Sequence, residues 1–242
     1  MSTDDAWEAW GRQDPYYGVI TDPRFRAANL SPEAKAAFFE SGQVHADYVM
    51  QMIRLHVDAG FRPGSVLDFG CGVGRLVVPF AAIAQRVTGL DVSPGMLREA
   101  RANCDARGLR NVSLLLSDDN LTVLDRDFDL IHSFIVFQHI PHERGRALIA
   151  RLLQKLRPGG IGALHFVYAK ARHATTLGIA PAEPVPAGPP HRDPGADPEM
   201  QMNSYDANEI LFLIQQAGVA RLHAEFTDHG GELGLFAFFR LP

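Results

Sequence analysis

Short apolar runs alternate with longer segments of helical spacing through the middle of the chain. The runs that predict strands are residues 65–69, 87–90, 112–116, 128–134 and 161–167. The helices predicted between them cover residues 76–84, 94–107 and 142–156. Strands separated by helices of this length predict parallel βαβ units with right-handed crossovers, and therefore an α/β fold.

Residues 1–60 are predicted to form a helical lead-in to this sheet. Ser31 followed by Pro32 predicts a helix start, because the hydroxyl caps the helix and proline suits its first turn. A second, longer helix is predicted from apolar residues at helical spacing: Val44, Tyr48, Met52 and Ile53. Acidic Asp4 and Asp5 are expected to lie in a disordered tip.

The regular alternation breaks after the fifth predicted strand. Residues 180–198 are proline-rich and almost free of large apolar side chains. Residues 169–204 are therefore predicted to be an insertion in the domain. This insertion is either a lid over a binding site or a loop without a function. A helix is predicted next, at residues 206–217. Two β-rich segments follow, at residues 220–227 and 233–240, and residues 228–231 form the hairpin turn between them. A doubly wound sheet that ends in an antiparallel hairpin is expected.

Composition narrows the class of protein. The 242 residues are 46% hydrophobic and carry a net charge of −5, which disfavours a nucleic-acid partner because such partners attract basic surfaces. No apolar run approaches the length of a membrane span, and the acidic N-terminus lacks the layout of a signal peptide. Cys71 and Cys104 provide no disulfide framework, so a cytoplasmic location is expected.

The stretch VLDFGCGVGRL suits a loop that approaches a ligand closely. Gly70, Gly72 and Gly74 follow the first predicted strand, where missing side chains and free backbone N–H groups favour a nucleotide cofactor. Asp91 ends the next strand, and its carboxylate can accept hydrogen bonds from both hydroxyls of a ribose.

Two residues of this stretch separate the candidate cofactors. Arg75 stands where the dinucleotide pattern G-x-G-x-x-G requires its third glycine. Asp68 precedes the first glycine by two residues, and its charge repels a pyrophosphate but attracts a methionyl ammonium or sulfonium. This arrangement favours a methionine-derived cofactor over a nicotinamide dinucleotide.

Five motifs in order now resemble the class I S-adenosylmethionine-dependent methyltransferases. They are VLDFGCGVGRL, GLDVSPGML, LLLSDDNL, FDLIHSFIVFQHIP and LRPGG. The resemblance runs from about residue 62 to residue 242 and implies a single domain over residues 61–242. It also implies S-adenosylmethionine as the cofactor and a doubly wound, seven-stranded, mostly parallel sheet whose last strand is antiparallel.

The resemblance further implies which residues contact the cofactor. The methionine and ribose part would be lined by Asp68, Gly70, Cys71 and Gly72, with Asp91 on the ribose hydroxyls. The adenine would meet Val92, Met96, Asp118 or Asp119, Asn120 and Leu121. Ser133 and Phe134 would approach the methyl group, and Tyr16 or Tyr17 would fold over the cofactor.

Several side chains invite other interpretations. His132, His139 and His142 lack a partner set of Cys or acidic ligands, so no metal site is expected. His139 follows the fourth predicted strand and is the candidate general base, with a purely structural hydrogen bond as the alternative. His165 and Tyr168 are the next candidates.

The function expected is methyl transfer from S-adenosylmethionine to an oxygen or nitrogen of a small-molecule acceptor. Alignment of the nucleophile and exclusion of water carry most of such catalysis. Three alternatives remain: a methyltransferase that acts on a protein or peptide, a non-catalytic module that binds the cofactor, and a nicotinamide-dependent oxidoreductase.

Overall fold

The computed structural model describes residues 2–170 and 197–242. The prediction of a lid at residues 180–198 falls almost entirely outside the described residues. Among the described residues, no helix is long and apolar enough to cross a membrane.

One seven-stranded sheet organises the chain, as predicted. Its strands are β1 Ser65–Phe69, β2 Arg86–Asp91, β3 Val112–Leu116, β4 Phe128–Ser133, β5 Leu156–Lys170, β6 Leu222–Asp228 and β7 Glu232–Arg240. The strand order is β3-β2-β1-β4-β5-β7-β6, and β7 is antiparallel to both of its neighbours. Because the order reverses between β1 and β4, the sheet is doubly wound with a switch point there.

Helices cover both faces of the sheet. They are α1 Thr3–Gln13, α2 Pro15–Val19, α3 Pro32–His56, α4 Val77–Ile83, α5 Pro94–Asp105, α6 His142–Gln154 and α7 Ala207–Gln216. The predicted cap at Ser31 is confirmed, since its side chain accepts a hydrogen bond from the Ala34 N–H. Ser93 caps α5 in the same way, through the Met96 N–H.

The N-terminal segment differs from the prediction in two respects. The first residues are not a disordered tip, because Ser2 and Asp5 form a capping box that starts α1. The two predicted helices around Ser31 and Val44 are one continuous helix, α3, and Val44 lies on its exposed face. Its buried face carries Phe38, Phe39, Gly42, Ala46, Val49, Met50 and Ile53.

Strand β5 is longer than predicted. It begins at Leu156, before the proline and glycines that were expected to form a turn, and its pairing with β4 shifts register between Phe128 and Leu130. The irregular pairing accommodates Pro158, which has no N–H to donate. At its other end β5 reaches Lys170, beyond the predicted end at Val167.

Three apolar clusters hold the layers together. One packs α6 and α7 against one face of the sheet, and a second packs α3, α4 and α5 against the other. A third cluster surrounds Trp10, Tyr17 and Phe38 and attaches the N-terminal helices to α5 through Met96. The lead-in is therefore part of the folded unit and reaches the carboxyl ends of the strands.

Candidate cofactor and acceptor site

A cavity of about 650 Å³ lies at the carboxyl ends of the parallel strands. It crosses the switch point of the sheet and runs from Asp91 at the end of β2 to Lys170 at the end of β5. Its size is in the usual range for sites that bind small molecules and cofactors. The described part of the chain therefore has its candidate functional site where the sequence predicted one.

The glycine loop forms the floor of this cavity. Gly70 and Gly72 adopt φ values of 75° and 51°, a region that residues with a Cβ rarely enter. A Cβ on Gly72 would approach Val19 Cγ2 to 2.6 Å, and one on Gly70 would collide with Val136. Neither position can accept a side chain, because Val136 and Val19 already pack against the backbone there.

Asp91 joins the end of β2 to the glycine loop. Its Oδ2 accepts a hydrogen bond from the Gly72 N–H at 2.8 Å, and its Oδ1 accepts one from the Ser93 N–H at 2.9 Å. Burial raises the pKa of Asp91 to about 6 in spite of these bonds. Val92 and Met96 line the cavity beside it. The carboxylate is fixed in orientation and still borders the open space.

A second carboxylate, Asp68, lines the cavity and has a buried histidine as its neighbour. Asp68 Oδ1 is 2.8 Å from Nδ1 of His132, which is fully buried on the neighbouring strand β4. Arg75 also lines the cavity; burial lowers the pKa of its guanidinium, while the charge of Asp68 raises it. The cavity wall therefore presents one negative and one positive group, the pattern that an amino-acid zwitterion matches.

Helix α1 closes the β2 end of the cavity. Arg144 donates to Asp4 at 2.6 and 2.8 Å and to Asp119 at 2.7 Å, so a guanidinium on α6 links α1 to the loop after β3. Glu8 accepts hydrogen bonds from the Ser93 hydroxyl and the Gly95 N–H, both at 2.8 Å. Thr3, Asp4 and Trp7 consequently become part of the cavity wall.

Three of the residues expected near the adenine lie away from the cavity. The carboxylate of Asp118 accepts bonds from the backbone of Asn120 and Thr122 and so shapes its own exposed turn. Asn120 bonds to Arg151 on the surface, and Leu121 is buried in the apolar core with a φ of 52°. Of the two adjacent aspartates, Asp118 and Asp119, it is Asp119 that lines the cavity.

Tyr16 and Tyr17 are also not at the cavity, contrary to expectation. The Tyr16 hydroxyl donates to Asn103 at 2.9 Å, and the Tyr17 ring stacks under the Arg26 guanidinium at 3.4 Å. Both rings are buried because α2 turns them into the N-terminal apolar cluster. The residues that follow them, Gly18–Thr21, line the cavity instead.

Phe134 lines the cavity at the end of β4, and Ser133 is buried immediately before it. The Ser133 hydroxyl has no hydrogen-bond partner within the described residues. Cys71 lines the glycine loop, and burial raises the pKa of its thiol well above the ordinary value. That pKa shift makes Cys71 an unreactive small residue, not a nucleophile.

The β5 end of the cavity combines polar groups with methionines. Lys170 donates to the carbonyl of Met202 at 2.9 Å and pairs with Glu232 at 3.4 Å. His229, on the turn between β6 and β7, also lines this end, and burial lowers its pKa. The paired charges leave this end nearly neutral.

His139 lies in the cavity wall between the two ends. Its Nδ1 donates to the carbonyl of Gln201 at 2.8 Å, so its Nε2 carries the lone pair, and its ring meets Trp7 edge-on at 4.9 Å. Burial lowers the pKa of His139 to about 4, so the imidazole is neutral at pH 7.

His165 and Tyr168, the next candidates for a general base, do not line the cavity. His165 is fully buried and contacts Thr227 at 2.8 Å, and the Tyr168 ring packs near Phe226 at 6.0 Å. Within residues 2–170 and 197–242, possible metal ligands converge in one place, on the outer side of the sheet: His56, His223 and Glu225. The imidazoles of the first two are stacked face to face at 3.6 Å.

Comparison with known proteins identifies the domain. Residues 66–160 match the family model described as a methyltransferase domain. Aklanonic acid methyltransferase DauC from Streptomyces sp. (strain C5) is 37% identical over 99 residues, which cover 39% of this chain and 44% of DauC. A ubiquinone biosynthesis O-methyltransferase from Rickettsia canadensis is 26% identical over 140 residues, 58% of this chain and 57% of that protein. The chain thus spans about half the length of these curated relatives.

Solved structures share the whole fold. The magnesium protoporphyrin IX methyltransferase ChlM from Synechocystis PCC 6803 was solved with bound S-adenosylhomocysteine (SAH). It aligns with a TM-score of 0.67 at 20% identity, over 99% of this chain and 98% of ChlM. The N-methyltransferase NodS from Bradyrhizobium japonicum aligns with a TM-score of 0.61 at 18% identity over both full lengths. The match over residues 66–160 makes this a methyltransferase domain, and the shared fold is that of class I S-adenosylmethionine-dependent methyltransferases, the class to which the motifs pointed and whose cofactor is S-adenosylmethionine.

Sequence reasoning missed several residues that line the cavity. Thr3, Asp4 and Trp7 were overlooked because the acidic start was interpreted as a disordered tip, although Ser2 and Asp5 carry the spacing of a capping box. Arg144, Lys170 and Glu232 reach the cavity only through tertiary packing. Nothing in their local sequence marks them.

Proposed function

We propose that this chain is an enzyme that transfers the methyl group of S-adenosylmethionine to an oxygen or nitrogen of a small-molecule acceptor. One observation carries the proposal: a single cavity joins the glycine loop and Asp91 at one end to Lys170 and Glu232 at the other. Such a cavity has room for a cofactor and an acceptor side by side. The cofactor, when bound, supplies an electrophilic methyl carbon.

The residues present fit the cofactor. Asp91 would accept the ribose hydroxyls, and Val92, Met96 and Asp119 would surround the adenine. Asp68 would pair with the methionine ammonium and Arg75 with its carboxylate, because their opposite charges lie together in the wall. Gly70 and Gly72 would allow the chain of the cofactor to lie against the backbone.

His139 is the proposed general base. Its Nε2 lone pair and neutral state at pH 7 allow it to accept a proton from an acceptor hydroxyl or amine. A pKa of about 4 makes it a weak base, so it would act chiefly on an acceptor whose proton is already labile. Phe134 would orient the acceptor, and α1 would exclude water.

A small acceptor is favoured over a protein or peptide. Helix α1 and the segment Gly18–Thr21 both contribute to the cavity wall and so enclose it, whereas a peptide needs an open groove. Aklanonic acid methyltransferase, 37% identical over 99 residues, is named for a small-molecule acceptor, whereas another relative, 32% identical over 72 residues, is named as an uncharacterized RNA methyltransferase. An acceptor other than nucleic acid and a cytoplasmic location are part of the same proposal.

Methyl transfer to a screened acceptor tests the proposal. Candidate phenols, carboxylic acids and amines would be ranked by the rise in melting temperature that they cause with SAH present, and then incubated with S-adenosylmethionine. Mass spectrometry should detect a product heavier by one methyl group. A protein that binds SAH but methylates neither these compounds nor peptides would instead be a non-catalytic module.

A further inference from the structure

A buried histidine, His132, and a half-buried one, His45, stand behind the cavity carboxylate Asp68. Asp68 and His132 are paired in register on the adjacent strands β1 and β4, so their side chains lie on the same face of the sheet. Asp68 Oδ1 is 2.8 Å from His132 Nδ1, and His132 Nε2 is 3.1 Å from Nε2 of His45 on α3. The three groups form a chain that leads from the cavity wall to α3.

The protons along this chain have a preferred arrangement. Burial lowers the pKa of His45 to about 2, so this ring is neutral and one proton lies between the two Nε2 atoms. Whichever ring carries that proton, a hydrogen bond from His132 to the Asp68 carboxylate needs a proton on His132 Nδ1. A bare nitrogen facing a carboxylate oxygen at 2.8 Å would be repelled. His132 therefore donates to Asp68.

The surroundings keep this arrangement in place. His132 is fully buried, and its ring meets Phe80 and Phe236 edge-on at 5.3 and 6.1 Å. The His45 ring lies 4.2 Å from Phe134, the aromatic residue of the cavity wall. Neither imidazole can turn without displacing a packed aromatic ring.

We infer that His132 and His45 are positioning residues: they hold the Asp68 carboxylate turned so that its second oxygen meets the ammonium group of the methionine part of the cofactor. The inference rests on the proposed function. It assigns a role to two histidines that do not line the cavity and therefore do not touch the cofactor. A carboxylate that is fixed before binding loses little freedom when the ammonium arrives.

Two ligands that differ only in the amino-acid group can distinguish orientation of Asp68 by His132 from a general structural role of His132. SAH carries the amino-acid group, whereas 5′-methylthioadenosine contains the same adenosine without it. His132→Leu should weaken SAH binding about tenfold or more in calorimetry and change methylthioadenosine binding less than twofold. His132→Asn should restore SAH binding to within about threefold of the unmodified protein, because its amide N–H can still donate to Asp68.

His165→Asn is the matched control, since His165 is equally buried on the next strand but contacts Thr227 instead of Asp68. His45→Leu provides a second variant that leaves His132 in place, and it should weaken SAH binding by a smaller factor, again without affecting methylthioadenosine.

Equal losses for SAH and methylthioadenosine in His132→Leu would make His132 a structural support and overturn the inference. Unchanged SAH binding in folded His132→Leu would overturn it as well, and so would failure of His132→Asn to restore binding. If the unmodified protein bound neither ligand, the proposed function itself would fail.

Discussion

Asp91 accepts a hydrogen bond from the backbone N–H of Gly72 at 2.8 Å, so the acid at the end of β2 and the glycine loop after β1 form one unit. Strand order explains the contact, because β1 and β2 are parallel neighbours and their carboxyl ends meet at one edge. Asp91 therefore both orients the glycine loop and faces the cavity.

Loss of the Asp91 carboxylate should weaken cofactor binding. Asp91→Ala removes two hydrogen bonds to the ribose, each worth ~1.5–3 kcal/mol for a charged acceptor. SAH affinity should fall at least about tenfold in calorimetry while circular dichroism remains unchanged. Asp127→Ala, at an exposed position just before β4, is the control. A folded Asp91→Ala protein with unchanged affinity would show that Asp91 does not bind the ribose.

The pKa of Asp91 predicts how binding depends on pH. Its value of about 6 in the folded protein, above about 3.9 in an unfolded chain, means that Asp91 takes up a proton as the pH falls through 6. Its contribution to folding stability is present below pH ~4 and is lost as the pH rises through 6. The pH dependence of cofactor binding has the opposite sign, because only the ionised carboxylate of Asp91 can accept hydrogen bonds from both ribose hydroxyls.

SAH affinity should accordingly rise about tenfold between pH 5 and pH 7, since about one Asp91 in ten is ionised at the lower pH. In Asp91→Asn, calorimetry over the same range should give a flat profile at low affinity. A rise of the same size in the Asn variant would assign the titration to another group.

Arg144 is expected to control how fast the cofactor leaves. Arg144→Met removes the link between Asp4 on α1 and Asp119 after β3, so α1 should separate from the cavity more readily. Stopped-flow measurement should show SAH dissociating about tenfold faster, which corresponds to ~1.4 kcal/mol. Arg146→Met is the control, because Arg146 lies on the same helix but pairs with Glu209 outside the cavity. Equal dissociation rates for the two variants would mean that α1 does not act as a closure.

His139 is expected to affect catalysis more than binding. In His139→Gln the side-chain amide can still donate to the Gln201 carbonyl but cannot take a proton. With an alcohol or amine acceptor, kcat should fall about 10²-fold, near the lower end of what general acid–base catalysis provides. SAH affinity should stay the same.

Protonation of His139 should not change the rate of the unmodified protein between pH 5 and pH 8, since the pKa of this imidazole is about 4. His142→Gln, on the exposed start of α6, is the control. A parallel loss of activity and SAH affinity in His139→Gln would make His139 a support of the cavity wall.

Local sequence was sufficient to predict the helices and strands whose ends carry a characteristic residue, such as a capping serine or a terminal aspartate. The caps at Ser31 and Ser93 and the strand that ends at Asp91 were predictable, because hydroxyl caps and apolar periodicity act over a few residues. The glycine loop was predictable for the same reason, as φ values above zero call for glycine.

Residues that depend on tertiary packing were not predictable. Tyr16 and Tyr17 were expected at the cofactor, but α2 turns both rings toward Phe38 and Arg26. Asp68 was identified as a cavity acid, whereas its partner His132 follows only from the pairing of β1 with β4. Sequence spacing indicates the strand end on which a residue lies, but not the side chain that the neighbouring strand places beside it.

Calorimetric titration with SAH and, separately, with NAD tests the central claim most directly. The opposite charges of Asp68 and Arg75 on the cavity wall and the position of Asp91 beside the glycine loop predict saturable binding of SAH and no binding of NAD. Gly72→Val should abolish the SAH signal in a protein that still folds, because its side chain would meet Val19 and fill the cavity floor. Binding of NAD without binding of SAH would contradict the account.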